Sequence, residues 1–385
     1  MRRCCTLLET IASRHYFSAQ SLQLLPKQLN HLERLSISRH ACYVRQILLR
    51  QSDGRPDDAG CTRLLARSLP RLEGLQWLVL GKEGLPLVRP WDRVAFFDIA
   101  LEAMSLCDFV NLTRLDLRFN HMFEFRLFVK KVSSPSYNAW WKRIGASLQH
   151  LGVSIDDDGE RADLENSSST REFWAPFGTL DTLEIDLVPS RPVPGISEIQ
   201  TFGSLRTLAI CGAVISATEL CGMLAKTRRI HTLLLEDILL CDGFWEQVFV
   251  QAAACDNLAK LLIEDLKYAH GSEGMPFSAI QAVPRAVLYS RRWADRHALR
   301  DLFLSVVSKE PGARSECAKD MDMERRQWAS VYCSLADYRE SDDCVERRSQ
   351  DAERLRKASL VEFDWPMRNS SPYRSLWWVW KLGYI

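Results

Sequence analysis

No G-x-S-x-G, H-E-x-x-H, P-loop or G-x-G-x-x-G pattern occurs in the chain, so the local signatures of acyl-transfer, zinc-peptidase and nucleotide-binding chemistry are missing. The eight His are dispersed, none of them four residues from another. No sign of charge dominates: 50 Lys+Arg stand against 49 Asp+Glu, a net charge of +1. Nucleic-acid modules usually carry a basic excess, so nucleic acid is not an expected partner. No apolar run approaches the roughly 18 residues that span a bilayer, so a membrane is not expected either. None of the 12 Cys forms a C-x-x-C pair, and the one close pair, Cys4-Cys5, is too near for an ordinary structural bridge. Cys107, Cys211, Cys221 and Cys241 sit in apolar runs, where a free thiol behaves as a small hydrophobe. That usage predicts a reducing compartment, hence an intracellular protein, cytoplasmic or nuclear. The apolar stretch near Met1 is too short for a signal peptide, and the sequons at Asn111, Asn166 and Asn369 matter only after secretory entry. With so little local chemistry, the expectation is a non-enzyme with no catalytic residue, cofactor or metal.

What the chain does have is leucine, 53 of its 385 residues, arranged in a recurring L-x-x-L-x-L pattern with Ile, Val or Phe allowed. Copies begin at Leu32, Leu75, Leu112, Leu148, Leu180, Leu205, Ile230 and Leu258, and Leu299-Leu302-Leu304 makes a ninth. The last two apolar positions lie two apart and therefore share one face of a short strand. Between copies, Ser216-Ala-Thr-Glu219 is a capping-box pattern that opens a helix. Residues 94–107 and 243–254 carry apolar side chains at helical spacing. The Leu stripe alone buries too little to order so long a chain, so Phe96, Phe97, Trp140, Trp141, Trp245 and Phe249 are expected to face the same core.

The run Leu112-Thr-Arg-Leu115-Asp-Leu117-Arg-Phe-Asn120 matches the leucine-rich-repeat signature L-x-x-L-x-L-x-x-N, and the middle copies approach its period of roughly 20–29 residues. With its irregular spacing and helical insertions, the chain resembles the F-box/leucine-rich-repeat proteins of filamentous fungi over residues 29–305. The resemblance implies an α/β fold, an irregular leucine-rich-repeat solenoid (horseshoe) with strands on its concave side. It also implies substrate reception for a ubiquitin ligase, with a cullin ligase adaptor as partner. Two features depart from the family. Other copies carry Val188, Ala213, Ile238 or Leu266 where Asn120 stands, and no F-box is recognisable.

Three regions are expected: an N-terminal helical cap at 1–28, the solenoid at 29–305, and a charged helical, Trp-rich C-terminal cap at 306–385. In the solenoid, strand alternation turns the positions flanking the last two apolar residues away from the core. A protein partner on this concave face would meet Arg34, Trp77, Arg114, Asp116, Arg118, Thr182, Glu184, Asp186, Leu234, Glu236, Lys260, Leu262 and Glu264. The early strands lean basic and the later ones acidic, with Trp77, Leu234 and Leu262 as apolar anchors among the charges. The competing class is a metal-dependent transferase that holds magnesium on Asp156 and Asp158 of the acidic loop Asp156-Asp-Asp-Gly-Glu160. A solvated acidic loop explains that run as well. The basic stretch 285–300, with Tyr289 and Trp293, reads as an amphipathic helix with solvated charges.

Overall fold

The computed structural model describes residues 11–50, 58–81, 90–156, 168–192, 202–227, 229–264, 266–269, 288 and 293–309. Strands and helices alternate along them: β1 (Ala19–Gln23), α1 (Pro26–Ser36), β2 (Gln46–Arg50), α2 (Asp58–Ser68), β3 (Trp77–Gly81), α3 (Pro90–Ser105) and β4 (Arg114–Phe119). Two helices follow, α4 (Met122–Val132) and α5 (Pro135–Ser147), then β5 (His150–Ile155), α6 (Ser168–Trp174), β6 (Thr182–Pro192) and β7 (Thr207–Ser216). The described part ends with α7 (Ala217–Lys226), β8 (Thr232–Glu236), β9 (Leu239–Asp242), α8 (Trp245–Ala253), β10 (Lys260–Glu264), β11 (Lys267–Tyr268) and α9 (Trp293–Lys309).

The strands form one 11-stranded sheet in the order β1-β2-β3-β4-β5-β6-β7-β8-β10, with β9 paired to the second half of β7 and β11 paired to β9. Every ladder among the described strands is parallel. A repeated backbone device sets the register. At each strand entry, two successive N–H groups donate to one carbonyl of the preceding unit: Thr113 and Arg114 to Gln76, Gln149 and His150 to Thr113, Asp181 and Thr182 to Gln149. The same pairing continues through Arg206 and Thr207 on Asp181, and through His231 and Thr232 on Arg206. The first Leu of each copy turns the chain into this contact, and the next two plug the core.

This architecture corrects the expected leucine-rich-repeat horseshoe. The fold is α/β, but it is built on a single parallel sheet. The physical reason lies in what the motif encodes. In its interior copies, an apolar residue three before a pair spaced by two makes a buried parallel strand with a tight entry. It fixes neither the curvature nor an asparagine ladder, and helices of up to 16 residues connect the strands. The two outermost copies are corrected as well. Leu32 and Leu35 lie on α1, and Leu299 and Leu302 on α9. The strand beside β1 is instead β2, whose Ile47 and Leu49 are buried.

One side of the sheet carries the core. Leu78 and Leu80, Leu115 and Leu117, Leu151 and Val153, Leu183 and Ile185 pack into a single cluster with the helices. The aromatics expected there are all buried: Phe96, Phe97, Trp140, Trp141, Trp245 and Phe249. Phe128 meets Trp141 edge-on at 5.7 Å, and Phe173 stacks on Trp141 at 5.2 Å, which ties α4, α5 and α6 together. The capping box forms as the sequence predicts: Glu219 N–H donates to Ser216 Oγ at 3.1 Å, and Ser216 N–H donates to Glu219 Oε2 at 2.9 Å. No helix among the described residues is long and apolar enough to cross a membrane. Most of the C-terminal cap region, residues 310–385, lies outside the described residues.

Candidate functional site

The alternate positions of the same strands point to the other side of the sheet, away from the helix-packed core. The ladder registers arrange them in ranks. Trp77, Arg114, His150 and Thr182 make one rank, and Val79, Asp116, Gly152 and Glu184 the next. Gly152 thus separates two carboxylates that share a rank. Having no side chain, it leaves a gap that the neighbouring rank fills.

Arg114 and His150 lean into that gap. The Arg114 guanidinium bonds Asp116 through Nε at 3.2 Å and Nη2 at 3.3 Å, and its Nη2 lies 3.6 Å from Glu184 Oε2. It also lies over the Trp77 ring, 4.0 Å from the centroid. The Trp77 indole N–H donates to Asp116 Oδ2 at 2.8 Å. His150 Nε2 lies 3.3 Å from Glu184 Oε2 and 3.6 Å from Asp116 Oδ1. Both are ion-pair distances without aligned hydrogen-bond geometry, so this buried ring nitrogen has no true hydrogen-bond partner. A Cβ on Gly152 would stand 2.7 Å from Asp116 Oδ1, so the network requires the glycine.

Electrostatics follow from the packing. Burial alone would raise the Glu184 carboxyl. The close contact with His150 and the positive charges of His150, Arg114 and Arg118 outweigh it, and hold Glu184 below its ordinary value of 4.5. The side chain keeps 23% of its accessible surface, so water screens part of this effect.

A shallow depression opens beside the network, lined by Arg114, Arg118, Ser154, Glu184, Asp186 and Leu234 among others. It encloses only about 50 Å³, far below the roughly 300–1,000 Å³ of a small-molecule site. The arrangement suits contact with a surface better than enclosure of a substrate.

The expected site residues fall into three groups. Trp77, Arg114, Asp116 and Glu184 are brought together in the network. Arg118, Thr182, Asp186, Leu234, Glu236, Lys260 and Leu262 share its side of the sheet, on β4, β6, β8 and β10. Glu264 pairs with Glu236 across β8 and β10, and its side chain lies outside the described residues. Arg34 is misplaced: it is an exposed residue in the last turn of α1. The anchors also need correction. Leu234 is only 1% exposed and forms a small cluster with Ala209 and Leu262, separate from the helix-side core. Trp77 is half-buried and engaged by Arg114 and Asp116. The simple gradient from basic to acidic is therefore partly cancelled at its centre, where Arg114 pairs with both carboxylates.

His150 and Gly152 were the residues that sequence reasoning under-weighted. Both flank Leu151 on the outward positions, and the parallel register puts them between Asp116 and Glu184. Asp156 directly follows β5, exposed, with its N–H donating to Phe119 O at 2.8 Å. Asp158 lies outside the described residues. Among the described residues, no group of three or more His, Cys, Asp or Glu is placed to hold a metal ion. The chain matches no protein-family model and no curated protein.

Proposed function

We propose that the chain is a non-catalytic recognition protein that binds a protein partner across the sheet face opposite the helices. One observation carries this reading. Polar and charged side chains occupy corresponding positions on successive parallel strands of that face, and the helix-side core takes none of them. Nine strands at about 4.8 Å spacing make a surface about 38 Å across, long enough to meet a folded partner or an extended segment. The Arg114–Asp116–Glu184–His150 network fixes side chains before any partner arrives, which lowers the ordering cost of binding. Charges on its flanks, Arg118 on one side and Asp186 on the other, would set orientation more than affinity.

The test is capture of the tagged full-length chain from its native cell extract, repeated with variants on both sides of the sheet. Arg118→Glu, Asp186→Lys and Lys260→Glu on the face are expected to remove the partner. Glu102→Lys on α3 and Lys142→Glu on α5, both exposed, are expected to keep it. A partner retained by all three face variants would overturn the reading. Recovery of a cullin with its adaptor would place the protein in ubiquitin ligation; partners without them would remove that narrower role.

A further inference from the structure

The near-zero net charge of the whole chain conceals an uneven distribution. Residues 11–50 and 58–81 hold nine Lys or Arg against three acids, Glu33, Asp58 and Glu73. The helices of these first units, α1 and α2, pack side by side, and their outward positions concentrate the excess. Lys27 and Arg34 are exposed on α1, Arg63 and Arg67 on α2, and Arg71 on the turn that follows it. Four residues along a helix advance about 6 Å, and packed helices lie roughly 8–10 Å apart. The cations therefore form two short, neighbouring rows.

This excess is not neutralised by the protein itself. Lys27, Arg34 and Arg71 have no ion pair among the described residues. Arg63 Nε donates to Ala59 O of its own helix at 3.1 Å. Arg67 reaches Glu33 only at 3.9 Å, with 66% of its side chain exposed. The later helices differ, for Lys131 pairs with Asp98 and Arg143 with Asp108. The rows also work against their own helices. Lys27 stands in the first turn of α1, which has no acid, where the helix dipole disfavours a cation. Arg63 and Arg67 are like charges four residues apart. An external anion relieves both.

The surroundings select the anion. A protein interface draws its affinity from large side chains in desolvated pockets, and none of the exposed residues of α1 or α2 is large and apolar. Single-stranded bases need aromatic platforms, and neither helix contains Phe, Tyr or Trp. Stable membrane anchoring takes a second signal beyond a basic patch. The phosphates of a duplex ask for charge alone, and the planar fork of Arg fits them.

We propose that the outer side of α1 and α2 binds the phosphate backbone of a nucleic-acid duplex, with Lys27, Arg34, Arg63, Arg67 and Arg71 as the contacts and no base readout. The site lies on the helix side of the sheet, apart from the face assigned to a protein partner.

Fluorescence anisotropy of labelled duplexes of about 20 bp, DNA and RNA in separate arms, titrated with the full-length chain at several salt concentrations, tests this. Unrelated sequences should bind alike, and the arm that binds more tightly identifies the source of the phosphates. For five phosphate contacts the slope of log K against log salt should be about −4 to −5 on DNA. Arg63→Gln and Arg67→Gln should each flatten it by about one, and Arg63→Glu with Arg67→Glu should cost about tenfold or more in affinity at low salt. Arg143→Gln should leave the slope unchanged. Urea midpoints equal to the parent or higher would show that the Arg63 and Arg67 variants fold. No duplex binding at low salt would overturn the proposal, as would a slope indifferent to these variants. Polyglutamate or phosphatidylserine vesicles bound as tightly as duplex would overturn it too, in favour of an acidic protein or a membrane surface. Partner capture and duplex binding read opposite sides of the sheet, so failure of one leaves the other standing.

Discussion

The indole N–H of Trp77 on β3 donates to the Asp116 carboxylate on β4 at 2.8 Å, linking neighbouring strands through side chains as well as backbone. Arg114 covers the same ring and bonds the same carboxylate, so three groups hold one another in place. Trp77→Phe keeps an aromatic face for Arg114 but removes a donor to a nearly buried acceptor. The expected cost is about 1.5–2 kcal/mol, read as a lower urea midpoint with an unchanged slope. A midpoint equal to the parent would mean that water replaces the indole without loss.

The depressed Glu184 carboxyl makes stability pH-dependent in a defined direction. Its folded value lies below its ordinary value of 4.5, so the unfolded chain takes up the proton first as pH falls. The contribution is complete above the unfolded value and is lost as pH drops through the folded one. Glu184→Gln should therefore flatten the acid limb of a stability-against-pH curve below 4.5, while lowering the plateau above it. Superimposable acid limbs for the two proteins would show that the carboxyl titrates alike in both states.

Burial makes a chemical prediction for the thiols. Cys107 is buried, and burial with the nearby Asp108 charge pushes it up to about 12. Cys42 is exposed. Alkylation of the native chain near pH 8, mapped by peptide mass spectrometry, should modify Cys42 and spare Cys107 until the protein unfolds, because only the thiolate reacts. Equal labelling of both under native conditions would mean that the α3 end opens readily.

The interior repeats were legible because each copy carries three apolar residues at a spacing that suits a strand with its entry turn, and the copies recur at a strand-and-helix period. The capping box at Ser216 was legible for a similar reason: the chemistry is local and needs four residues. The ends misled because Leu32-Leu35 and Leu299-Leu302 have the same three-residue spacing that a helix uses to bury one side. Strand β2 went unread although Val44-Ile47-Leu49 fits the pattern with Val in the leading position, all three being fully buried; the nearby Leu32-Leu35-Ile37 triplet stood as the copy in its place. The face was predicted from alternation, whereas the network required the register. Only the pairing of Asp116 with Gly152 and of Gly152 with Glu184 shows that two carboxylates flank a glycine. Sheet curvature was beyond the pattern, since L-x-x-L-x-L specifies pairing and burial but not how tightly successive units turn.

Asp295 closes the far end of the helix layer. It is fully buried, accepts from Tyr268 Oη at 2.5 Å, and accepts from the Glu246 N–H at the start of α8 at 2.9 Å. Tyr268 Oη accepts in turn from the Trp245 N–H at 3.2 Å. Asp295→Ala leaves a buried hydroxyl and a helix-start N–H short of an acceptor, at an expected cost of about 2–3 kcal/mol. Tyr268→Phe should cost less, about 1–2 kcal/mol. Hydrogen exchange should accelerate first in α8 and α9 while β3–β5 stay protected. Uniform acceleration would show that this end does not open separately.

The sharpest test of the face as a built arrangement is the smallest change, Gly152→Ala. The added methyl would fall 2.7 Å from Asp116 Oδ1, so the carboxylate must swing away and release Trp77 or Arg114. The helix-side partners of β5, Leu151 and Val153, are untouched, and the backbone ladder needs no adjustment. Loss of stability should be modest, about 1–3 kcal/mol, but the effect should spread beyond the site of change. Glu184 would lose part of its cationic surroundings as Arg114 follows Asp116, and its carboxyl should move back toward the ordinary value. In a double-mutant cycle, Gly152→Ala and Trp77→Phe should be less than additive, because both dismantle the same contact with Asp116. Strict additivity would mean that Asp116 accommodates the methyl without giving up the indole, and that the network is looser than its distances imply.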